Sequence, residues 1–160
     1  MAGAAGAVTV AYVRLLQTGR ISAADTCNGV LAGLVAVTAP CAFIAPWAAV
    51  VVGAIGALVM LLGVSFIETK LKIDDPVGAS SVHGVAGVWG LLAVGIFADG
   101  TYGVSGLIAG NASQLLAQVI AAAVAVAWGL GMGLILFRVL KATVGLRATE
   151  EEEISGLDVP

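Results

Sequence analysis

The stretch from residue 74 to residue 100, DDPVGASSVHGVAGVWGLLAVGIFADG, decides the fold class of this chain. Its apolar, glycine-rich part is long enough to cross a membrane, and it contains His83, the single histidine of the sequence. An ionisable side chain at bilayer depth costs free energy, so it usually faces a cavity or a partner. We therefore interpret His83 as a candidate residue of a transport path, and the alternative is a histidine hydrogen-bonded within the helix packing.

The composition is that of an integral membrane protein. Hydrophobic residues make up 60% of the chain and charged residues 11%, which is far from the balance of soluble domains. The 22 glycines suit helices that approach one another closely through small residues. Nothing in this composition favours nucleic-acid binding.

Apolar runs separated by polar breaks predict an all-α fold, a polytopic membrane helix bundle. The five predicted transmembrane helices cover about residues 2–16, 26–43, 46–67, 78–97 and 112–140. Pro46 and Trp47 predict the start of the third helix, with the tryptophan at the membrane interface. Residues 1–142 then form a membrane domain, and residues 143–160 form a cytoplasmic tail rich in acidic side chains.

The basic residues predict the orientation of these helices. All seven fall in connections on the same side of the predicted bundle: Arg14, Arg20, Lys70, Lys72, Arg138, Lys141 and Arg147. Because cytoplasmic loops carry the excess of Lys and Arg, that side is predicted to be cytoplasmic. The N-terminus is then outside the cell membrane and the C-terminus inside.

The fourth helix has a recognisable start in the sequence. Asp74 and Asp75 precede Pro76, and a capping carboxylate followed by proline in the first turn is typical of helix N-termini. His83 is then expected about two turns from the cytoplasmic end. The capping role is structural and assigns no transport function to the two carboxylates.

A face of small residues is predicted along the same helix. Its members recur at spacings of three and four: Ala79, His83, Gly84, Gly87 and Gly90. Such a face can pack against a neighbouring helix or line a narrow conduit, and close packing is the expected role of most of the glycines.

The chemistry available to His83 favours transport over catalysis. A neutral imidazole offers one donor and one acceptor, which suits the passage of a small hydrogen-bonding solute or of a proton. No second histidine and no carboxylate lies within a predicted span, so neither a metal site, a cofactor nor an enzyme is expected. Cys27 and Cys41 are expected to be buried thiols without a disulfide.

Three motifs together resemble the ammonium transporter family (Amt/Mep/Rh) in its C-terminal half. They are DDPVGASSVHGVAGVWG at residues 74–90, NGVLAGLVAVTAPCAFIAPWAAVVVGAIGALV at residues 28–59, and TVGLRATEEEEISGLDVP at residues 143–160. The resemblance implies an eleven-helix fold built as two inverted halves, of which this chain matches the last five helices. It also implies a homotrimer with one path for ammonium or ammonia in each subunit.

The resemblance also implies roles for particular residues. His83 matches the pore histidine of the second half, and Thr38 matches a position near the pore, although a threonine bonded to its own helix backbone is an equal alternative. Ala79 lies on the same predicted face as His83. Gly145, Gly156 and Asp158 match the regulatory tail, for which a cytosolic regulatory protein is a further expected partner.

The chain has no counterpart of the family's first six helices. We therefore expect a fragment that conducts nothing until the missing N-terminal half is supplied. The alternative is a membrane scaffold or regulatory subunit that packs against a partner half.

Overall fold

In the computed structural model, residues 1–156 are described, and they form helices and connecting turns. The α-helices are α1 (Ala2–Thr18), α2 (Ala23–Thr38), α3 (Pro46–Phe66), α4 (Ala86–Phe97), α5 (Ala112–Thr143) and α6 (Glu150–Ser155). Two π-helical turns extend them: Ile67–Leu71 continues α3, and Ser80–Val85 leads into α4. The all-α prediction is confirmed.

Three of these helical segments are long and apolar enough to cross a membrane: Pro46–Leu71, Ser80–Phe97 and Ala112–Thr143. Ala23–Thr38 is a shorter apolar helix. The membrane-helix prediction is therefore confirmed for the third, fourth and fifth segments. That α1 and α2 also cross the bilayer stays a prediction.

The predicted limits of the second helix are wrong at both ends. The helix begins earlier, at Ala23, because the Ser22 hydroxyl accepts a hydrogen bond from the Asp25 N–H at 3.2 Å and so caps it. It ends at Thr38, and residues 39–43 form turns instead. Pro40 explains this end, since helices usually stop at or before the residue that precedes a proline. The predicted start of α3 is confirmed, with Pro46 at its first turn.

Helices α1, α2 and α3 pack through small residues. A Cβ on Gly29 of α2 would lie 2.7 Å from the carbonyl oxygen of Gly6 in α1, so the two backbones are in direct contact there. A buried cluster joins α1, α2, α3, the π turn and the start of α4: Val10, Ala32, Ala57, Met60, Val82 and Ala86. The core thus reaches the residue next to His83.

The chain divides into two compact units, one from Met1 to Ala123 and one from Val124 onward. The first contains α1 to α4, the loop after α4 and the start of α5. The second contains the rest of α5 and the tail.

Candidate functional site

His83 lies in the π turn Ser80–Val85, and its side chain is exposed in this chain. The residues just before it, Ser81 and Val82, are buried. On its other side a Cβ added to Gly84 would meet no atom within 4 Å. The imidazole therefore projects from a face of the helix that this chain leaves open, and the alternative of a histidine bonded within the packing finds no partner among residues 1–156.

The start of this helical segment differs from the sequence prediction. The Asp75 carboxylate is buried and accepts a hydrogen bond from the Ser80 N–H at 3.1 Å, so it does cap the segment. Pro76, however, lies in a turn before the helix, closed by a hydrogen bond from the Gly78 N–H to the Asp75 carbonyl oxygen at 2.9 Å. Asp74 is exposed. The turn needs Gly78 at a φ of 69°, which excludes a helix running through Pro76.

The predicted face of small residues is divided in the structure, and the close packing expected of most of its glycines is confirmed for Gly87 and Gly90. Ala79, His83 and Gly84 are exposed. By contrast, Gly87 and Gly90 point at α2: a Cβ on Gly87 would lie 3.8 Å from Val35, and one on Gly90 would lie 2.6 Å from the Ala36 carbonyl oxygen. The open part of the face therefore lies at and before the π turn, and the packed part follows the turn in α4.

Thr38 is exposed at the C-terminal end of α2, and its hydroxyl donates a hydrogen bond to the Leu34 carbonyl oxygen at 2.8 Å. The alternative of a threonine bonded to its own helix is therefore what the structure shows. Ala36 of α2 lies beside Gly90 of α4, and His83 precedes Gly90 by seven residues, or about 10 Å along the helix axis. Thr38 follows Ala36 in α2, so it lies at least this far from His83 along the bundle. The structure does not bring these two residues together.

A cavity of about 450 Å³ with both polar and apolar lining opens near the predicted cytoplasmic ends of α1, α2 and α3. Its charged and amide side chains are Arg14, Asp25, Asn28, Glu68 and Asp75. The Arg14 Nε lies 2.8 Å from an Asp25 carboxylate oxygen, in an ion pair whose N–H is not directed at the oxygen as in a hydrogen bond. The cavity is thus lined by one cation and three carboxylates, and His83 is not part of its lining.

The sequence reasoning missed two tertiary hydrogen bonds that hold the histidine-bearing helix. The Trp89 indole N–H donates to the Val52 carbonyl oxygen of α3 at 3.0 Å. The Asn28 side-chain amide donates to the Val77 carbonyl oxygen, also at 3.0 Å. A tryptophan in the middle of an apolar helix is the signal that could have indicated the first, since a buried indole N–H usually finds an acceptor.

Two other expectations can be compared with the structure. Cys27 and Cys41 are free thiols, but both are exposed, so the prediction that they are buried is wrong for this chain. Each lies on a helix or turn surface that the other described elements do not cover. Among residues 1–156, no group of three His, Cys, Asp or Glu side chains is placed to hold a metal ion.

The tail forms the short helix α6, which begins with a capping box. The Thr149 hydroxyl accepts from the Glu152 N–H at 3.3 Å, while the Glu152 carboxylate accepts from the Thr149 N–H at 2.8 Å. The Thr149 hydroxyl also donates to the Glu152 carboxylate at 2.8 Å. The bonds that this carboxylate accepts from the Thr149 backbone N–H, and then from the Thr149 hydroxyl, lower the pKa of Glu152. The Glu153 carboxylate pairs with Arg147 at 2.6 Å and raises the pKa of that guanidinium.

The tail glycines occupy turns. Gly145 follows the end of α5 with a φ of 80°, and Gly156 follows α6 with a φ of 94°, conformations that favour glycine. Asp158, the third predicted tail residue, lies outside the described residues. The regulatory role of all three stays a prediction.

Comparison with known proteins decides the family. The model of the Ammonium Transporter Family matches residues 1–160. The chain belongs to the ammonium transporter family. It is therefore part of a transporter family and not an enzyme, as the sequence motifs predicted.

Individual members of the ammonium transporter family are similar over almost the whole chain. Ammonium transporter Amt2 of Archaeoglobus fulgidus is 47% identical over 99% of this chain and 36% of its own length. Ammonium transporter 1 member 1 of Oryza sativa subsp. japonica is 39% identical over 99% of this chain and 34% of its own length. The chain spans about a third of the length of these relatives.

Solved structures of the family share the fold. The structure titled "Sensor Amt Protein" has a TM-score of 0.90 and 40% identity, and the match covers 99% of this chain and 39% of that one. Saccharomyces cerevisiae Mep2 has a TM-score of 0.83 and 31% identity, over 94% of this chain and 36% of that one. The helical arrangement of this chain is thus a segment of the ammonium transporter fold.

Proposed function

We propose that this chain forms the final part of an ammonium transporter and supplies one wall of its conduction path, with His83 as the pore residue. The observation that carries the proposal is the open face of the Ser80–Val85 turn. In a chain of this family, the single histidine projects from a membrane helix into space that the chain itself does not fill. An imidazole there can donate to or accept from a passing ammonia molecule, or relay its proton.

The exposed apolar surface supports a partner for this wall. Large side chains of α3 are exposed along its whole length: Trp47, Val50, Val51, Leu58, Leu62 and Phe66. Within a bilayer such side chains contact lipid or other helices. We propose that the additional helices present in the longer relatives cover the His83 face, and that the complete transporter assembles as a homotrimer.

We also propose the orientation that the basic residues predict, in the cell membrane with the C-terminus in the cytoplasm. Arg20, Lys70 and Arg147 are exposed: Arg20 lies between α1 and α2, Lys70 at the C-terminal end of the helical segment Pro46–Leu71, and Arg147 between α5 and α6. Single cysteines at these positions, in a background without Cys27 and Cys41, should all be labelled only from the cytoplasmic side. Labelling of any of the three from outside the cell would contradict the orientation.

The transport proposal can be tested with a chimera in which the first two-thirds of Archaeoglobus fulgidus Amt2 precede this chain. In cells that lack ammonium transporters, the chimera should restore growth on low ammonium, and this chain alone should not. A chimera that inserts and assembles but gives no growth would contradict the proposal. Growth with this chain alone would refute the claim that further helices are needed.

The role of His83 requires two measurements on the same preparation. Because His83 makes no side-chain hydrogen bond within residues 1–156 and is proposed to line an open path, His83→Ala should leave the melting temperature of the chimera nearly unchanged. It should abolish or alter the ammonium-evoked current. A destabilised variant that still carries the parent's current would show a structural histidine instead.

A further inference from the structure

Both ends of the helical segment that bears His83 are held by contacts with α2, and a local cap adds to the contact at the N-terminal end. At the lower end, the buried Asp75 carboxylate accepts the Ser80 N–H, and Asn28 of α2 bonds the Val77 carbonyl oxygen. At the upper end, the Gly90 backbone lies against Ala36 of α2, where a Cβ would come within 2.6 Å of the Ala36 carbonyl oxygen. Neither end can rotate about the helix axis without losing these contacts.

Between these two ends the chain contains one residue more than an α-helix accommodates. The Ala86 N–H is shared between the carbonyl oxygens of His83, three residues back, and Ser81, five residues back, and the bond to Ser81 is the π-helical pattern. Ser81 is itself held in place, because a Cβ on Gly63 of α3 would lie only 3.0 Å from its hydroxyl oxygen. That hydroxyl is buried without a hydrogen-bond partner, and the acceptor usual for a helical serine, the Val77 carbonyl four residues earlier, already binds Asn28.

The extra residue changes the direction of His83. In a regular α-helix, His83 would lie between Gly87 and Gly90 in projection along the axis, and therefore face α2. One inserted residue adds about 100° across the whole turn, so a residue in its middle is rotated by roughly half of that, about 50°. This rotation agrees with the observed split, in which Gly87 faces Val35 while His83 is exposed.

We propose that the π turn Ser80–Val85 is a positioning element that turns the His83 imidazole away from α2 and into the conduction path. This proposal rests on the proposed function of His83. The turn exists because tertiary contacts hold its two ends. Gly84 is the residue whose removal should cost the fewest contacts, because a Cβ there would meet no atom within 4 Å.

The first test is the stability of one-residue deletions in the Amt2 chimera. Deleting Gly84 should convert the π turn into an α-helical turn with both ends in place, so the melting temperature should stay within about 4 °C of the parent's. Gly84→Ala changes the same position without shortening the chain and is the matched control. Leu91 lies in the regular part of α4, so its deletion shifts the packed glycines before it out of register with those after it and should prevent folding. Leu91→Ala is the control for the loss of the leucine side chain. If the Gly84 and Leu91 deletions are equally damaging, the turn holds no spare residue and the proposal is wrong.

The second test separates positioning from packing. The folded Gly84 deletion should carry at least about tenfold less ammonium-evoked current than the parent, because His83 is turned by about 50°. The double variant, which combines the Gly84 deletion with His83→Ala, should carry a current less than about twofold below that of the deletion alone, because the imidazole is already misplaced. Parent-like current from the deletion, or an undiminished effect of His83→Ala on top of it, would overturn the proposal. A parent chimera without current would instead be a failure of the proposed function, and the stability comparison would still decide whether the turn holds a spare residue.

Discussion

The contact between α4 and α2 at Gly90 leads to a stability prediction whose size follows from the structure. In Gly90→Ala, the new methyl group would lie 2.6 Å from the Ala36 carbonyl oxygen. Ordinary contacts between a carbon and a carbonyl oxygen are about 3.3 Å or longer, so the two helices would have to separate by about 0.7 Å at this point. Overpacking of this kind typically costs about 1–3 kcal/mol.

Gly129→Ala is a suitable control, because Gly129 lies within the α-helix α5 and a Cβ there meets no atom within 4 Å. It reports the helix preference of alanine over glycine without the steric conflict. In this chain purified in detergent, Gly90→Ala should therefore melt about 2–12 °C below Gly129→Ala. Equal melting temperatures for the two variants would show that α4 and α2 do not approach as closely as described.

Two further predictions concern other hydrogen bonds. Trp89→Phe removes the indole donor to the Val52 carbonyl oxygen and should lower the free energy of unfolding, measured by chemical denaturation, by about 0.5–1.5 kcal/mol. The control Trp47→Phe, at an exposed position, should change it by less than about 0.5 kcal/mol. Equal effects of the two changes would argue against the bond. In the tail, the lowered pKa of Glu152 means that its carboxylate stabilises α6 above the ordinary glutamate pKa, and that this contribution is lost as the pH falls through the folded pKa. Amide NMR shifts of Thr149 should follow that titration, and Glu152→Gln should abolish it; a Thr149 titration that persists in Glu152→Gln would assign it to another group.

Several features of the fold were predictable because they depend on local chemistry. The proline at position 46 marks the start of α3, since proline at the first turn of a helix loses no hydrogen bond. The apolar runs predicted the third, fourth and fifth helices, because only a continuous apolar segment of this length can cross a bilayer. The family motifs predicted the fold, and the match over residues 1–160 confirms that prediction.

The details of the site were less predictable, because they depend on contacts between segments far apart in the sequence. Asp75 was correctly interpreted as a cap, but the place of Pro76 depended on the turn at Gly78, which packs beside Asn28 of α2. The exposure of Cys27 and Cys41 likewise depends on which helix faces the other elements cover. Sequence spacing alone does not show which face of a uniformly apolar helix is covered.

The sequence by itself determined that this chain is a bundle of membrane helices of the ammonium transporter family with one histidine in its fourth predicted span. These properties follow from composition, from the length of apolar runs and from short motifs. The direction of His83 was decided only by the tertiary structure. Asn28 and Ala36 of α2 hold the two ends of the helical segment that bears His83. Because the ends are held, the extra residue of this segment is accommodated in the π turn Ser80–Val85, and that turn exposes the imidazole.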